Sequence, residues 1–195
     1  MKTYTKKIEV TKPRLEIVYD QDSESPREWS NLGYFITVDR NKYSPDQNKT
    51  LEVLVKNSGE EADSQNTHIA MIKTGLHLMG EEVLAIYPVT KYEHGGVSYS
   101  LGTAHGFDNS NNGFYIVTDK TAKELGTPSK SFEKVIKQEL EVYNKWCNGE
   151  VYGFRLYDSF GDELDSCYGF YDIEDIREHL PKEWKKEDLT KYITL

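Results

Sequence analysis

The sequence predicts an α+β fold: a single domain over residues 1–195, with a mostly antiparallel twisted sheet, one main amphipathic helix at about 131–147 and shorter additional helices. Three observations carry this reading. Short β-rich runs bounded by turn residues recur along most of the chain. One stretch holds a sustained helical spacing, with Phe132, Val135, Ile136, Leu140, Tyr143 and Trp146 recurring at three or four residues. A chain of this length removes roughly 70% of its unfolded surface from water, so it needs no disulfide or metal staple.

The elements follow in order. Alternation at 8–10 and at Leu15, Ile17 and Tyr19 reads as strand, closed by a polar run and Pro26. Residues 34–38 are a β-rich run after Gly33. Residues 39–67 turn polar and read as a loop region around one apolar piece at 51–55. Ile69, Ile72, Leu76 and Met79 have approximate helical spacing, ended by Gly80. The apolar run 83–89 is the best central strand, with Pro88 at its end or at a bulge. A turn at His94-Gly95-Gly96 leads to a strand at 97–101, a loop at 102–113 rich in Gly and Asn, and a strand at 114–117. Thr118 or Asp119 caps a helix that Gly126 ends. Ser131 and Gly149 bound the main helix, and residues 151–157 and 164–170 form a hairpin. Alternation puts Tyr152, Phe154 and Leu156 on the sheet face opposite Arg155 and Tyr157, with one face against the main helix. Asp172 caps a last short helix stopped by Pro181.

Composition narrows the function. Hydrophobic residues make up 37% of the chain and charged residues 29%, with 14 tyrosines, far from a disordered profile. Lys plus Arg is 24 against 33 Asp plus Glu, a net charge of −9. That excludes whole-molecule attraction to nucleic acid or to an anionic membrane. No run approaches the length of a membrane span, and no apolar core follows the basic first ten residues as in a signal peptide. Cys147 and Cys167 form no CxxC pair and read as partly buried thiols in a reducing cytosol, with a disulfide between them left open.

Charge comes in blocks. Residues 158–178 hold eight carboxylates and one basic residue, Arg177, a net of −7. Residues 16–28 hold five carboxylates against Arg27. Negative charge laid out along a surface fits a channel built for phosphates, and it also serves as a plain solvated face. Asp158, Asp162, Glu163 and Asp165, with Tyr168 and Tyr171 as aromatic anchors, form the candidate partner-binding set.

Other constellations are thinner. His94, His105 and Asp108 flank the glycine-rich stretch and form an alternative ligand loop, which needs cations such as Lys91 and Lys120 to hold a nucleotide. Asp108, Asn112 and Asp119 partly match a loop for a divalent cation. There Ser110 replaces a usual ligand and no helix precedes, so an Asn-Gly turn entering a strand is the simpler reading and no cofactor is expected. Lys2, Lys6, Lys7, Lys12 and Arg14 against Glu9 give +4 in the first 14 residues, a possible DNA contact or a solvated strand edge. No catalytic constellation emerges.

Three patches, in order, carry a resemblance. They are Tyr19-Asp20 with Ser25-Pro26-Arg27-Glu28-Trp29-Ser30-Asn31-Leu32-Gly33; Gly113-Phe114-Tyr115-Ile116-Val117-Thr118; and Val151-Tyr152-Gly153-Phe154 with Asp162-Glu163-Leu164-Asp165-Ser166-Cys167-Tyr168-Gly169-Phe170-Tyr171. Together they are similar to a widespread family of small, largely uncharacterised proteins carried by bacteriophages and plasmids. The family's aromatic-Asp-Ser-Gly stretch is represented only by Phe107-Asp108, and residues 43–66 and the basic tail after Pro181 are particular to this chain. The resemblance brings no catalytic residue with it. It implies an accessory protein of the bacterial cytoplasm that neutralises a host defence system, as anti-CRISPR inhibitors of Cas9-type nucleases do. The expectation is a non-enzymatic inhibitor that binds a host defence protein, a CRISPR nuclease foremost. The alternatives are a sponge or hydrolase for a nucleotide immune signal, and a DNA-contacting accessory protein.

Overall fold

The computed structural model describes residues 12–37, 44–46, 48, 51, 53, 54 and 65–194. The strand expected at 8–10, Lys2, Lys6 and Lys7, and most of the polar region 39–67 lie outside these residues. In chain order the elements are β1 (Arg14–Tyr19), β2 (Tyr34–Thr37), α1 (Gln65–Leu78), β3 (Val83–Glu93), β4 (Val97–Leu101), β5 (Asn109–Thr118) and α2 (Asp119–Leu125). Then come α3 (Phe132–Cys147), β6 (Tyr152–Tyr157), β7 (Glu163–Phe170), α4 (Ile173–Ile176) and β8 (Ile193–Thr194). The fold is α+β and mostly antiparallel, and its strands divide into two four-stranded sheets. Each sheet lies in one of two compact units, Met1–Glu24 with Lys145–Leu195, and Ser25–Asn144.

In the unit Ser25–Asn144 the sheet order is β2-β5-β3-β4. Alternation along β2 and β5 sends side chains to opposite faces. Ile36, Phe114 and Ile116 pack with Leu51 and with Ile72 and Leu76 of α1. On the other face Phe35 meets Tyr143 of α3 and Tyr99 of β4 edge-on, with ring centroids 5.9 and 5.0 Å apart. The helix α3 buries Phe132, Ile136, Leu140 and Tyr143, the stripe that its sequence spacing predicts. Each such side chain contributes about 1.5–3 kcal/mol by leaving water.

Several boundaries differ from the sequence reading. A 3₁₀ turn over Ser129–Ser131 runs straight into α3, so Ser131 is inside a helical turn and not the N-cap. The strand β5 begins five residues before its apolar run, because Asn109 and Ser110 find partners in Tyr92 and Lys91 of the long strand β3. The expected 102–113 loop therefore shrinks to 102–108. Pro88 lies inside β3, opposite Phe114, at a point where β4 has not yet begun to pair. On the β4 side the Pro88 carbonyl accepts from Gly102 N–H at 2.8 Å, and the Gly102 carbonyl is taken by the Thr90 hydroxyl at 2.8 Å, so the missing proline N–H leaves no acceptor unpaired. Thr118 caps α2 with a reciprocal bond to Thr121, and Gly126 ends it, as the sequence predicts.

In the unit Met1–Glu24 with Lys145–Leu195 the sheet order is β7-β6-β1-β8. Arg14 to Tyr19 run antiparallel to Tyr157 to Tyr152, and β8 adds a short parallel pairing at Ile17 and Val18. The apolar positions Leu15, Ile17, Phe154 and Leu156 share one face. That face is covered by Ile176, Leu180 and Leu189 from the C-terminal segment, not by the main helix as the pattern suggested. Arg177 anchors this segment by donating to the carbonyls of Lys185 and Glu187 at 2.6 and 2.9 Å. Cys147 and Cys167 are half-buried and are not joined in a disulfide. Among the described residues no helix is long and apolar enough to cross a membrane.

Candidate partner-binding surface

The hairpin of β6 and β7 gathers five of the six residues singled out in the sequence. Its turn is made by Asp158, whose Oδ1 accepts from the backbone N–H of Phe160 at 2.8 Å and of Asp162 at 3.0 Å. The sequence Asp158-Ser159-Phe160-Gly161-Asp162 folds this way because an Asp side chain can stand in for a backbone acceptor in a turn. Asp158 thus has a structural role in addition to its charge. Glu163 accepts from the Ser166 hydroxyl at 2.8 Å, and Asp162 and Asp165 are exposed. Among the described residues no Lys, Arg or His forms an ion pair with Asp158, Asp162, Glu163 or Asp165.

The rest of the acidic block is different. Glu174 receives both Nε and Nη2 of Arg177 at 2.7 and 2.9 Å, and Glu178 lies 3.6 Å from Lys185. The hydrogen bonds and charge of Arg177 hold the Glu174 carboxyl below the usual range. Among the described residues of the block, the four hairpin carboxylates, with Asp172 and Asp175, are the ones that form no ion pair. Beside the hairpin carboxylates stand Phe160, Leu164 and Tyr168, which keep 60%, 62% and 41% of their surface exposed.

Tyr168 is held in place. Its ring lies over Gly153, where any Cβ would overlap it, and its hydroxyl accepts from Arg155 Nε at 2.6 Å. Arg14 stacks over Tyr157 on the same sheet, 4.1 Å from the ring centroid. A fixed aromatic loses less freedom on binding than a mobile one. Tyr171 is half-buried, and burial together with the charge of Asp20 pushes its phenol up. It belongs to the packing of the unit more than to an exposed surface.

Of the ligand loop the structure brings His94 and Asp108 together, while the residues of the cation loop are spread along β5. His94 Nδ1 approaches Asp108 at 3.6 Å, both exposed, whereas His105 contributes its backbone carbonyl to Asn109. Among the described residues no three His, Cys, Asp or Glu converge as metal ligands. Asp108 and Asp119 sit at the two ends of extended β5, roughly 33 Å apart at the rise of a strand. Asp119 accepts instead from the N–H of Glu82, and Asn112 lies along the strand between them. Of the cations that a nucleotide would need, Lys91 is buried and its Nζ is bound to Glu93 at 2.6 Å.

Sequence reasoning missed one buried polar network in Ser25–Asn144. The Arg27 guanidinium, 2% exposed, donates to both oxygens of Asp46 at 2.7 and 2.8 Å, to Glu139 at 3.2 Å, to Asn31 and to the carbonyl of Gly33. Tyr115 donates to Glu139 and accepts from the N–H of Gly33. Burial alone pulls the guanidinium down, but the hydrogen bonds and charge of Asp46 outweigh it and the net shift is upward. Gly33 is required there, because a Cβ would strike the Ile116 carbonyl. The segment Pro26 to Gly33 is therefore an anchor of the fold. Its partners are far along the chain, and the order of residues gave no signal of them.

No family model matches this chain, and no curated protein or solved structure does either.

Proposed function

We propose that the chain is a non-enzymatic accessory protein of a phage or mobile element, working in the bacterial cytoplasm. It sets the β6–β7 hairpin against a basic, phosphate-binding surface of a host defence protein, with a CRISPR nuclease as the class that the resemblance favours. One observation carries this reading: four carboxylates without ion-pair partners among the described residues share a hairpin with exposed Phe160, Leu164 and Tyr168. Charge of this kind speeds encounter with a basic surface, and large aromatic and aliphatic side chains hold the complex.

The test is capture from a phage-infected host lysate at low salt, run in parallel with wild type and the double variant D162K/E163K. The expected result is one stoichiometric nucleic-acid-binding protein that added DNA displaces and that the variant fails to retain. The association rate falls on charge reversal, while the thermal midpoint moves little because both side chains are exposed. A partner that the variant keeps, and that DNA does not displace, overturns the proposal.

A further inference from the structure

We infer that the outer edge of β7 is a docking strand, which accepts an extended, Lys- or Arg-bearing segment of the partner as an added strand. This rests on the reading above and specifies its mode.

The chain covers the outer edges of β2 and β4 with its own groups. The outer edge of β2 is closed by residues 44–46: Phe35 N–H donates to Asp46, Asp46 N–H to the Phe35 carbonyl, and Thr37 N–H to the Ser44 hydroxyl. The outer edge of β4 is closed by the Asn144 amide, which accepts from Tyr99 N–H at 2.7 Å and donates to its carbonyl at 3.0 Å. Nothing equivalent covers β7 among the described residues. It is the terminal strand of its sheet, and among the described residues no backbone bond reaches its outer side. An open edge is a template for another strand.

Two features choose the occupant. Bulges at Leu164 and Gly169 bound the strand and leave Asp165–Tyr168 in regular register. With Asp162, Glu163 and Asp165 at one end, a second copy of this edge meets a concentration of like charge, and a cationic segment meets its complement. Strand addition draws affinity from main-chain hydrogen bonds and specificity from alternate side chains.

The test uses the full chain and synthetic ten-residue peptides of alternating Lys and Val. One peptide has free amides, and its twin of equal charge is N-methylated at alternate residues. At low salt the unmethylated peptide binds and slows amide exchange at Asp165–Tyr168. The methylated twin binds at least about tenfold more weakly, the effect expected for a lost edge hydrogen bond. Equal affinity for the two peptides overturns strand addition, and so does failure of both to bind. Dimerisation of the free chain through β7, measured by sedimentation, overturns it in favour of a second copy. Equal affinity that D162K/E163K abolishes removes the docking strand and leaves the acidic-surface reading standing.

Discussion

Arg27 shows how one side chain can fix a whole segment. Its guanidinium is buried and fully engaged, and its removal takes the opposite charge away from Asp46 and Glu139, leaving them only the bonds from Phe35 N–H and from Leu32 N–H and Tyr115. Arg27→Ala is expected to cost about 3–5 kcal/mol in urea unfolding, and Arg27→Lys most of that, since an ammonium cannot reproduce the two-pronged contact. A loss under about 1 kcal/mol for Arg27→Ala contradicts the network. Tyr34 offers a pH test in the same unit. Its burial, then the charge of Glu81, pushes its phenol up to about 12. The unfolded phenol titrates near 10, so its contribution is complete below about pH 10 and is lost as pH rises towards 12. Urea midpoints measured from pH 8 to 12 should fall less steeply in Tyr34→Phe than in wild type; parallel curves refute the assignment. These residues were hidden in the sequence because the carboxylate partners of Arg27 are 19 and 112 positions away. The patch around Arg27 was visible as a motif, but its job was not.

Elements were more legible, since their signals are local. The spacing of Phe132, Ile136, Leu140 and Tyr143 gave α3, Thr118 or Asp119 with Gly126 gave the ends of α2, and the turn residues 159–163 gave the hairpin. What failed was non-local. Polar Asn109 and Ser110 join β5 because β3 reaches far enough to pair with them, and the cover of Phe154 and Leu156 comes from the C-terminal segment. In the candidate surface, the acidic and aromatic composition of β7 could be read directly. Its open edge could not, because that depends on which strands pair elsewhere. At this level Gly153→Ala is expected to drive the Tyr168 ring off the sheet and break its bond to Arg155, lowering stability by about 1–3 kcal/mol. A crystal structure or unfolding curve unchanged by Gly153→Ala contradicts the packing described.

For the molecule as a whole, a net charge of −9 says less than where the charge is left uncompensated. Arg177 and Lys185 neutralise part of the C-terminal block, and the hairpin carboxylates stay open to solvent. A complex formed through them is sensitive to salt, with an association rate that falls steeply as ionic strength shortens the screening length to about 10 Å and below. A rate indifferent to salt between low and physiological strength argues against charge as the recognition element. The most direct test of the central claim is amide hydrogen exchange of the full chain, alone and in complex with the captured partner. Exchange is expected to slow over residues 158–170 in the complex. Protection confined to 83–118, with the hairpin exchanging as in the free chain, contradicts the claim.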